Sequence, residues 1–249
     1  MSMNYLEMLA RLGVGSAHPG GFTATLEQLS QFPIPEGSKI LDAGCGTGRT
    51  ACYLAKQGHD VTGIDLLPAM VAKARRRACE EQVEVRFVQG DICALPFESG
   101  VFDVVLAESV TVFADAPRAL AEYRRVLKPG GVLYDREIMA MGRMEPQDCR
   151  VICEFYGISG LMTPDQWVTL LSGAGFIGAN VWKPSVFPEN LWEDQIRHPD
   201  LMQHVDEDAW TDRRIWEISF RYDDIMQKYR HLIGYGVAIG TNGPDAANS

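Results

Sequence analysis

Hydrophobic and polar positions alternate in blocks from about residue 39 onward. Short apolar runs with the length of buried strands are separated by stretches in which apolar residues recur at helical spacing. Strands that alternate with helices of about 10–15 residues predict βαβ crossovers, and therefore an α/β fold whose mostly parallel sheet has helices on both faces. The predicted strands are residues 39–43, 60–65, 83–89, 101–107 and 132–139, and the predicted helices are a segment ending at residue 54 and residues 68–79 and 116–127.

Additional segments flank this alternation. Residues 5–12 and 22–31 are predicted helices, and after the fifth strand the pattern predicts helices at 146–157 and 163–172 and strands at 175–183 and 233–239. Residues 184–231 are rich in tryptophan and acidic side chains and mostly helical in pattern. We expect one domain over residues 1–249, with N-terminal lid helices at 1–34 and a helical cap insertion at 184–231.

The charge of the chain bears on its partners. A net charge of −10 argues against nucleic acid, because phosphate binding is driven largely by lysine and arginine. The one basic cluster, Arg75-Arg76-Arg77, falls near the end of a predicted helix, and we interpret it as a solvated helix end. No apolar stretch approaches the ~20 residues that cross a bilayer, and residues 1–11 do not have the pattern of a secretory signal. We expect a globular protein without a membrane partner.

The six cysteines are scattered along the chain, which is typical of cytoplasmic proteins with reduced thiols rather than of a disulfide framework. Cys149 and Cys153 are four residues apart and could share a helix face. Since no histidine or second cysteine pair lies nearby, we interpret them as two buried thiols and expect no metal site.

The loop at residues 40–48 is the strongest candidate for chemistry. It reads Ile-Leu-Asp-Ala-Gly-Cys-Gly-Thr-Gly, an apolar strand and an acid followed by glycines that open a helix. Glycines let the backbone approach a ligand closely, and a helix N-terminus offers free N–H groups. The spacing Gly46-x-Gly48-x-x-Ala51 also satisfies a dinucleotide fingerprint, so the loop alone leaves NAD open.

Three acids favour a different ligand. Asp42 lies within the turn, where its carboxylate would repel a pyrophosphate but can accept from a cationic amine. Asp65 ends the second strand and is placed to accept from both hydroxyls of a ribose, and Asp91 follows the third strand, where it can accept from an adenine amino group. A nucleoside with an amino-acid tail fits these acids better than a dinucleotide does.

Five motifs in this order and spacing resemble those of class I S-adenosylmethionine (SAM)-dependent methyltransferases, in particular the type 11-like group that acts on small molecules. The resemblance covers roughly residues 35–183 and the last strand. It implies a Rossmann-like seven-stranded sheet in the order 3-2-1-4-5-7-6 with an antiparallel last strand, SAM as cofactor and S-adenosylhomocysteine as product. The motifs are Leu-Asp-Ala-Gly-Cys-Gly-Thr-Gly at 41–48, Gly-Ile-Asp at 63–65, Gly-Asp at 90–91, Phe-Asp-Val-Val at 102–105 and Leu-Lys-Pro-Gly-Gly at 127–131.

The resemblance also implies roles for individual residues. Asp42, Gly44, Cys45 and Gly46 would form the loop around the methionyl part of SAM. Asp65 would bind the ribose diol with Leu66 packing nearby, and Asp91 and the Ile92 backbone would bind the adenine edge. Glu108, just past the fourth strand, would face the amino-acid tail or the substrate.

The acceptor side follows from topology. Ligands bind beyond the carboxyl ends of parallel strands, so the cap insertion and residues 137–162 should emerge beside the cofactor. Methyl transfer from a sulfonium needs a general base only if the acceptor is protonated. The candidate bases are His18, Glu108 and Glu137, with His18 and Glu108 as the catalytic candidates. Aromatic side chains that could line an apolar pocket are Tyr156, Trp182, Trp192, Trp210 and Trp216.

Several alternatives stay open. The Asn/Asp-Pro-Pro-aromatic motif of related base methyltransferases is absent after the fourth strand, which together with the acidic charge disfavours nucleic acid and leaves a small-molecule acceptor. The rival functions are a SAM-binding protein of this fold without methyl transfer and, less favoured, an NAD-dependent oxidoreductase. The pattern predicts neither the acceptor atom nor the oligomeric state.

Overall fold

The computed structural model describes residues 3–190 and 193–243. Seven strands of this described part form one sheet in the order β3-β2-β1-β4-β5-β7-β6. Strands β1 to β5 are parallel, and β7 runs antiparallel to β5 and β6, so the predicted topology is confirmed. The strands are β1 (Lys39–Ala43), β2 (Asp60–Asp65), β3 (Arg86–Gln89), β4 (Phe102–Glu108), β5 (Leu127–Ala140), β6 (Phe176–Val186) and β7 (Ile233–Asn242).

The described residues also contain nine α-helices and two short 3₁₀ helices, Thr111–Phe113 and Ala209–Thr211. Helix α7 begins as its sequence predicts, because the Thr163 side chain and Gln166 form a reciprocal capping box around its first turn. The helices are α1 (Tyr5–Leu12), α2 (Gly21–Gln31), α3 (Arg49–Lys56), α4 (Pro68–Glu81), α5 (Ala116–Val126), α6 (Pro146–Tyr156), α7 (Pro164–Gly173), α8 (Glu193–Arg197) and α9 (Arg213–Tyr229).

Some element bounds differ from the predictions. Strand β3 starts at Arg86 rather than residue 83, because the Val83 N–H bonds to the Ala78 carbonyl and closes helix α4. Strand β6 continues to Val186, so the segment between β6 and β7 starts at residue 187; residues 187–232 are called the cap segment below.

The interpretation of the arginine cluster as a solvated helix end is wrong for Arg77. Arg76 is exposed, but the Arg77 side chain is only 2% exposed. Its Nε donates to the Thr47 carbonyl at 2.9 Å, and its two terminal nitrogens bind the Asp200 carboxylate in the cap segment. The face of α4 that carries Arg77 is therefore turned toward the glycine loop and the cap.

Two apolar layers cover the sheet, and a third cluster lies beside it. One layer packs α5 and α7 against the strands, and the opposite layer contains residues of α3 and α4. The third cluster joins α1, α6 and α9 at the carboxyl ends of the strands and holds the N-terminal helix and the cap segment in place. Within the described ranges, no helix is both long and apolar enough to span a membrane.

Candidate functional site

The glycine loop turns sharply after β1 and is fixed to β2. The N–H groups of Gly44 and Cys45 both donate to the Ile64 carbonyl, at 2.8 and 2.9 Å. Gly44 has a φ of +69°, and a Cβ there would lie 2.4 Å from the Val110 side chain. Gly46 has a φ of +52° with open space where a Cβ would point. The loop therefore requires glycine for packing at one position and exposes bare backbone at another.

Asp65 is held rigidly beside this loop. Its Oδ2 accepts from the Gly46 N–H at 2.9 Å, and its Oδ1 accepts from the Leu67 N–H at 2.8 Å. Each oxygen keeps a further acceptor site, because a carboxylate oxygen can accept two hydrogen bonds. The carboxylate is oriented in advance for a pair of hydroxyl donors.

Among the three acids of the site, Asp42 has the most unusual environment. It is buried, and its Oδ2 has no hydrogen-bond partner in the described part of the chain. Burial, and next the negative charges of Glu108 and Asp65, raise the pKa of Asp42 well above its ordinary value. A buried carboxyl group with an unpaired oxygen is costly unless a ligand satisfies it, and a cation would do so.

The remaining cofactor candidates line the same cavity. Asp91 is exposed and accepts from the Cys93 N–H, while Ile92 is buried. Leu66 is 64% exposed and extends over the cavity edge as an apolar surface. Cys45 contributes its backbone, since its sulfur packs toward Gly63.

The cavity has a volume of about 920 Å³. It extends from the glycine loop, past the ends of β4 and β5, to α1, α9 and the cap segment. Every residue proposed from the sequence to bind the cofactor borders it. The structure thus brings the three acids and the glycine loop to one wall of a single space.

His18 and Glu108 meet at the side of this cavity. Glu108 accepts from the hydroxyls of Thr25 and Thr50, at 2.6 and 2.7 Å. His18 Nε2 lies 3.3 Å from the Thr25 oxygen and 3.6 Å from the Glu108 carboxylate, and Arg136 Nε lies 3.7 Å from that carboxylate. The glutamate is surrounded by donors and joins α2 to the strand ends.

These contacts affect the two catalytic candidates differently. Burial alone would raise the pKa of Glu108, but His18, Arg136 and the two threonine hydroxyls together lower it. Glu108 is therefore a weak base whose oxygens are already engaged. Burial lowers the pKa of His18, which favours the neutral ring at pH 7. Its Nδ1 is buried and makes no hydrogen bond to the described residues, so an acceptor could reach this nitrogen only after local repacking.

Two other sequence candidates lie elsewhere. Glu137 does not border the cavity: it is buried, and its Oε1 accepts from the backbone N–H groups of residues 110–112, which fixes the 3₁₀ turn after β4. Trp182 packs against Phe32, with ring centroids 5.3 Å apart, and is not part of the lining. Trp192 lies outside the described residues.

The prediction of an aromatic pocket lining holds for Tyr156, Trp210 and Trp216, which line the cavity.

Cys149 and Cys153 are half-buried rather than buried, with sulfurs 3.8 Å apart. Among the described residues, no group of three or more potential ligands forms a metal site.

Sequence reasoning missed the residues that tie Glu108 in place. Thr25, Thr50 and Arg136 come from α2, α3 and β5, and no local motif indicates that they converge. The Tyr235 hydroxyl, which lies close to Gly20 at the cavity wall, was missed for the same reason.

Comparison with known proteins decides the family. Residues 41–135 match the family model of a methyltransferase domain. The uncharacterized methyltransferase YodH of Bacillus subtilis is 37% identical over 235 residues, which cover 94% of this chain and 97% of the relative. This chain belongs to the SAM-dependent methyltransferases. The demethylmenaquinone methyltransferase of Thermus thermophilus is 47% identical over 98 residues, 38% of this chain and 44% of that one.

A solved structure shows the same fold. Phosphoethanolamine N-methyltransferase 2 of Haemonchus contortus, in complex with phosphomonomethylethanolamine and S-adenosylhomocysteine, superposes with a TM-score of 0.78. It is 22% identical, and the match covers 96% of this chain and 57% of the other. The family uses SAM, and the unpaired Asp42 oxygen and the oriented Asp65 carboxylate fit this cofactor. The NAD-dependent alternative is therefore set aside.

Proposed function

We propose that this methyltransferase transfers the methyl group of SAM to a small-molecule acceptor that carries no phosphate. The observation that carries this proposal is the continuous cavity of about 920 Å³, which runs from the glycine loop to the cap segment. Ligand pockets span about 300–1,000 Å³, so this one has room for a cofactor and a second molecule.

The cofactor would occupy the wall formed by the glycine loop. Asp42 would accept from the ammonium group of the methionyl tail, which satisfies its unpaired oxygen. Asp65 would accept from the ribose hydroxyls, while Asp91, the Ile92 backbone and Leu66 would hold the adenine. Cys45, Gly44 and Gly46 would contact the tail through their backbone, and Glu108 would set the position of the neighbouring side chains. SAM supplies an activated methyl group, so the protein mainly aligns the two reactants and excludes water.

The charge of the lining argues against phosphorylated acceptors and nucleic acid. Among the described lining residues there is no lysine, and the one arginine, Arg197, is exposed and paired with Glu193. Phosphate recognition relies on arginine, lysine or helix N-termini. The N-terminus of α2 borders the cavity, but its Phe22 and Thr23 N–H groups already donate to the Asp194 carboxylate. The acceptor of this chain would then differ in charge from phosphomonomethylethanolamine.

The enclosing segments would act as a lid. We propose that the N-terminal helices and the cap segment form one domain with the sheet and close over the acceptor. In this arrangement His18 serves as a base only for an acceptor that must lose a proton. The six free thiols fit a reducing compartment, and we propose a cytoplasmic location.

Labelled SAM tests the proposal. The purified protein is incubated with methyl-labelled SAM and a protein-free extract of small metabolites. The label is then followed into compounds other than SAM. Label should enter a non-phosphorylated compound and disappear with Asp65→Ala. Label in a phosphate ester, or in nucleic acid supplied in a parallel reaction, would contradict the proposal. Tight SAM binding with no methyl transfer to any of several extracts would contradict it as well.

A further inference from the structure

Three aromatic side chains surround the outer end of the cavity: Trp210, Trp216 and Phe220, called the aromatic rim below. They are 57%, 43% and 65% exposed, yet all three also line the cavity. Exposed aromatic rings in contact with one another are uncommon on a monomer surface and mark binding sites. The rim therefore belongs to the site.

A hydrogen bond and the spacing along α9 hold the aromatic rim in place. The Trp216 Nε1–H donates to the Trp210 carbonyl at 3.0 Å, and the two rings lie 6.1 Å apart. Phe220 follows Trp216 by one helical turn of α9, so both project from the same face. The rings are held open by this arrangement rather than collapsed into the core.

An apolar wall connects the rim to the interior. The α9 residues that line the cavity run from Trp216 to Asp223, which spans about 10 Å at 1.5 Å per residue. Deeper in the cavity, Tyr222 stacks on Tyr5 with centroids 6.3 Å apart, and Ile138 and Phe187 continue the apolar surface. The path from the strand ends to solvent is mainly apolar along this side, with Ser219 and Asp223 as the polar lining residues of α9.

We infer that the acceptor is an amphiphile, with its reactive end at the cofactor and an extended hydrocarbon tail leaving across the aromatic rim; this rests on the proposed function. A compact acceptor would leave the rim in water, whereas a tail would cover it. The arginines of α9 near the rim already have partners: Arg213 pairs with Glu217, Arg214 pairs with Asp212, and Arg221 lies over the Phe155 ring. They leave no unpaired basic cluster to attract an anionic lipid surface, so such a surface is disfavoured as the occupant. The rim thus selects for the apolar tail of a single molecule.

Partitioning of the methylated product tests the inference. A total cell extract is incubated with labelled SAM and then separated into organic and aqueous phases. Label should appear in the organic phase, and its appearance should slow at least tenfold in the double variant Trp216→Ser/Phe220→Ser. Leu201→Ser is the matched control, because Leu201 is an 86% exposed apolar residue of the cap segment outside the cavity lining. Label in an aqueous product would overturn this inference but leave the proposed function standing; absence of label in both phases would overturn the proposed function.

A binding series gives a readout independent of turnover. With S-adenosylhomocysteine present, 4-alkylphenols from methyl to heptyl are titrated, and affinity should rise up to about fourfold per added methylene. The ratio of Kd between the shortest and longest compounds should shrink in the rim variant and persist in Leu201→Ser. The inference would be overturned if affinity still rose with tail length in the rim variant, or if none of the compounds bound. It would also be overturned if the variant lost self-association or binding to lipid vesicles.

Discussion

Arg77 of α4 and Asp200 of the cap segment form a two-pronged ion pair, with N–O distances of 2.8 and 2.6 Å. Both side chains are almost fully buried. The same guanidinium also donates to the Thr47 carbonyl in the glycine loop. One side chain therefore connects the loop that would hold the cofactor with the segment that would cover the acceptor.

Replacement of Arg77 by alanine should be strongly destabilising. It leaves a buried carboxylate and the Thr47 carbonyl without their donor, and removal of one partner of a buried pair costs about 3–5 kcal/mol. Arg76→Ala is the matched control: Arg76 is the neighbouring exposed residue, paired with Glu80, and should cost less than about 1 kcal/mol. Guanidinium unfolding measures the loss of stability in both variants. Equal losses would show that the buried pair stabilises the protein no more than the exposed pair does.

Replacement of Asp65 by alanine should lower the affinity for S-adenosylhomocysteine about 10- to 100-fold, because hydrogen bonds to a charged group contribute about 1.5–3 kcal/mol. The loss includes the anchoring of the Gly46 and Leu67 N–H groups. Asp60→Ala, an exposed position at the other end of β2, serves as control. Calorimetry that gives an unchanged dissociation constant for Asp65→Ala would refute the ribose assignment.

Cofactor affinity should depend on pH through Asp42. Burial raises the pKa of Asp42 in the free protein, whereas an ammonium group would favour its ionised form. Binding then releases a proton at pH values below the raised pKa, so affinity should increase as pH rises toward it and level off above. Calorimetry in buffers of different ionisation enthalpy measures the released proton. Asp42→Asn should bind more weakly without that release, and a wild-type protein that releases none would contradict the assignment.

Stability should fall with rising pH because of the neighbouring acids Asp135 and Glu137. Both are fully buried; burial raises the pKa of Asp135 to about 7, and burial together with Asp135 raises the pKa of Glu137 well above its ordinary value. The folded state then binds more protons than the unfolded state between about pH 4 and 7, so the free energy of unfolding decreases with pH over that window.

Asp135→Asn provides the comparison for this pair. The variant removes one of the two titrating groups and the repulsion on the other, so the slope of unfolding free energy against pH should flatten. When the folded state binds one proton more than the unfolded state, the free energy of unfolding changes by at most about 1.4 kcal/mol per pH unit. Guanidinium unfolding from pH 5 to 8 gives the slope for both proteins, and parallel slopes would rule the pair out as its source.

The fold and the convergence of the candidate cofactor residues on one wall were predictable because their signals are local. Strand and helix periodicity, the glycine spacing and an acid at each strand end are read within a few residues, and parallel strands bring those ends together. The sequence also indicated aromatic pocket candidates, but not which of them face inward: Trp210 of the cap segment lines the cavity, while Trp182 of β6 packs on Phe32. Such orientation depends on packing between segments far apart in the chain.

Long-range ion pairs were the least predictable part. Arg77 and Asp200 are 123 positions apart, and within the Arg75–Arg77 run nothing distinguishes the buried arginine from its exposed neighbour. The Glu108 network is similar, since its threonine donors come from two separate helices. Periodicity predicts that a residue lies on a helix, but the partner is determined only by the tertiary arrangement.

Lys73 has a consequence for how the site opens. Its ammonium group donates to the Ala10 carbonyl of α1 and to the His204 carbonyl of the cap segment, both at 2.7 Å. The Lys73 side chain therefore connects α1 to the cap segment. Any movement of α1 away from the cap segment must break these Lys73 contacts, and movement of the cap segment away from α4 must also break the Arg77 pair. We therefore expect opening of this part of the site to be slow.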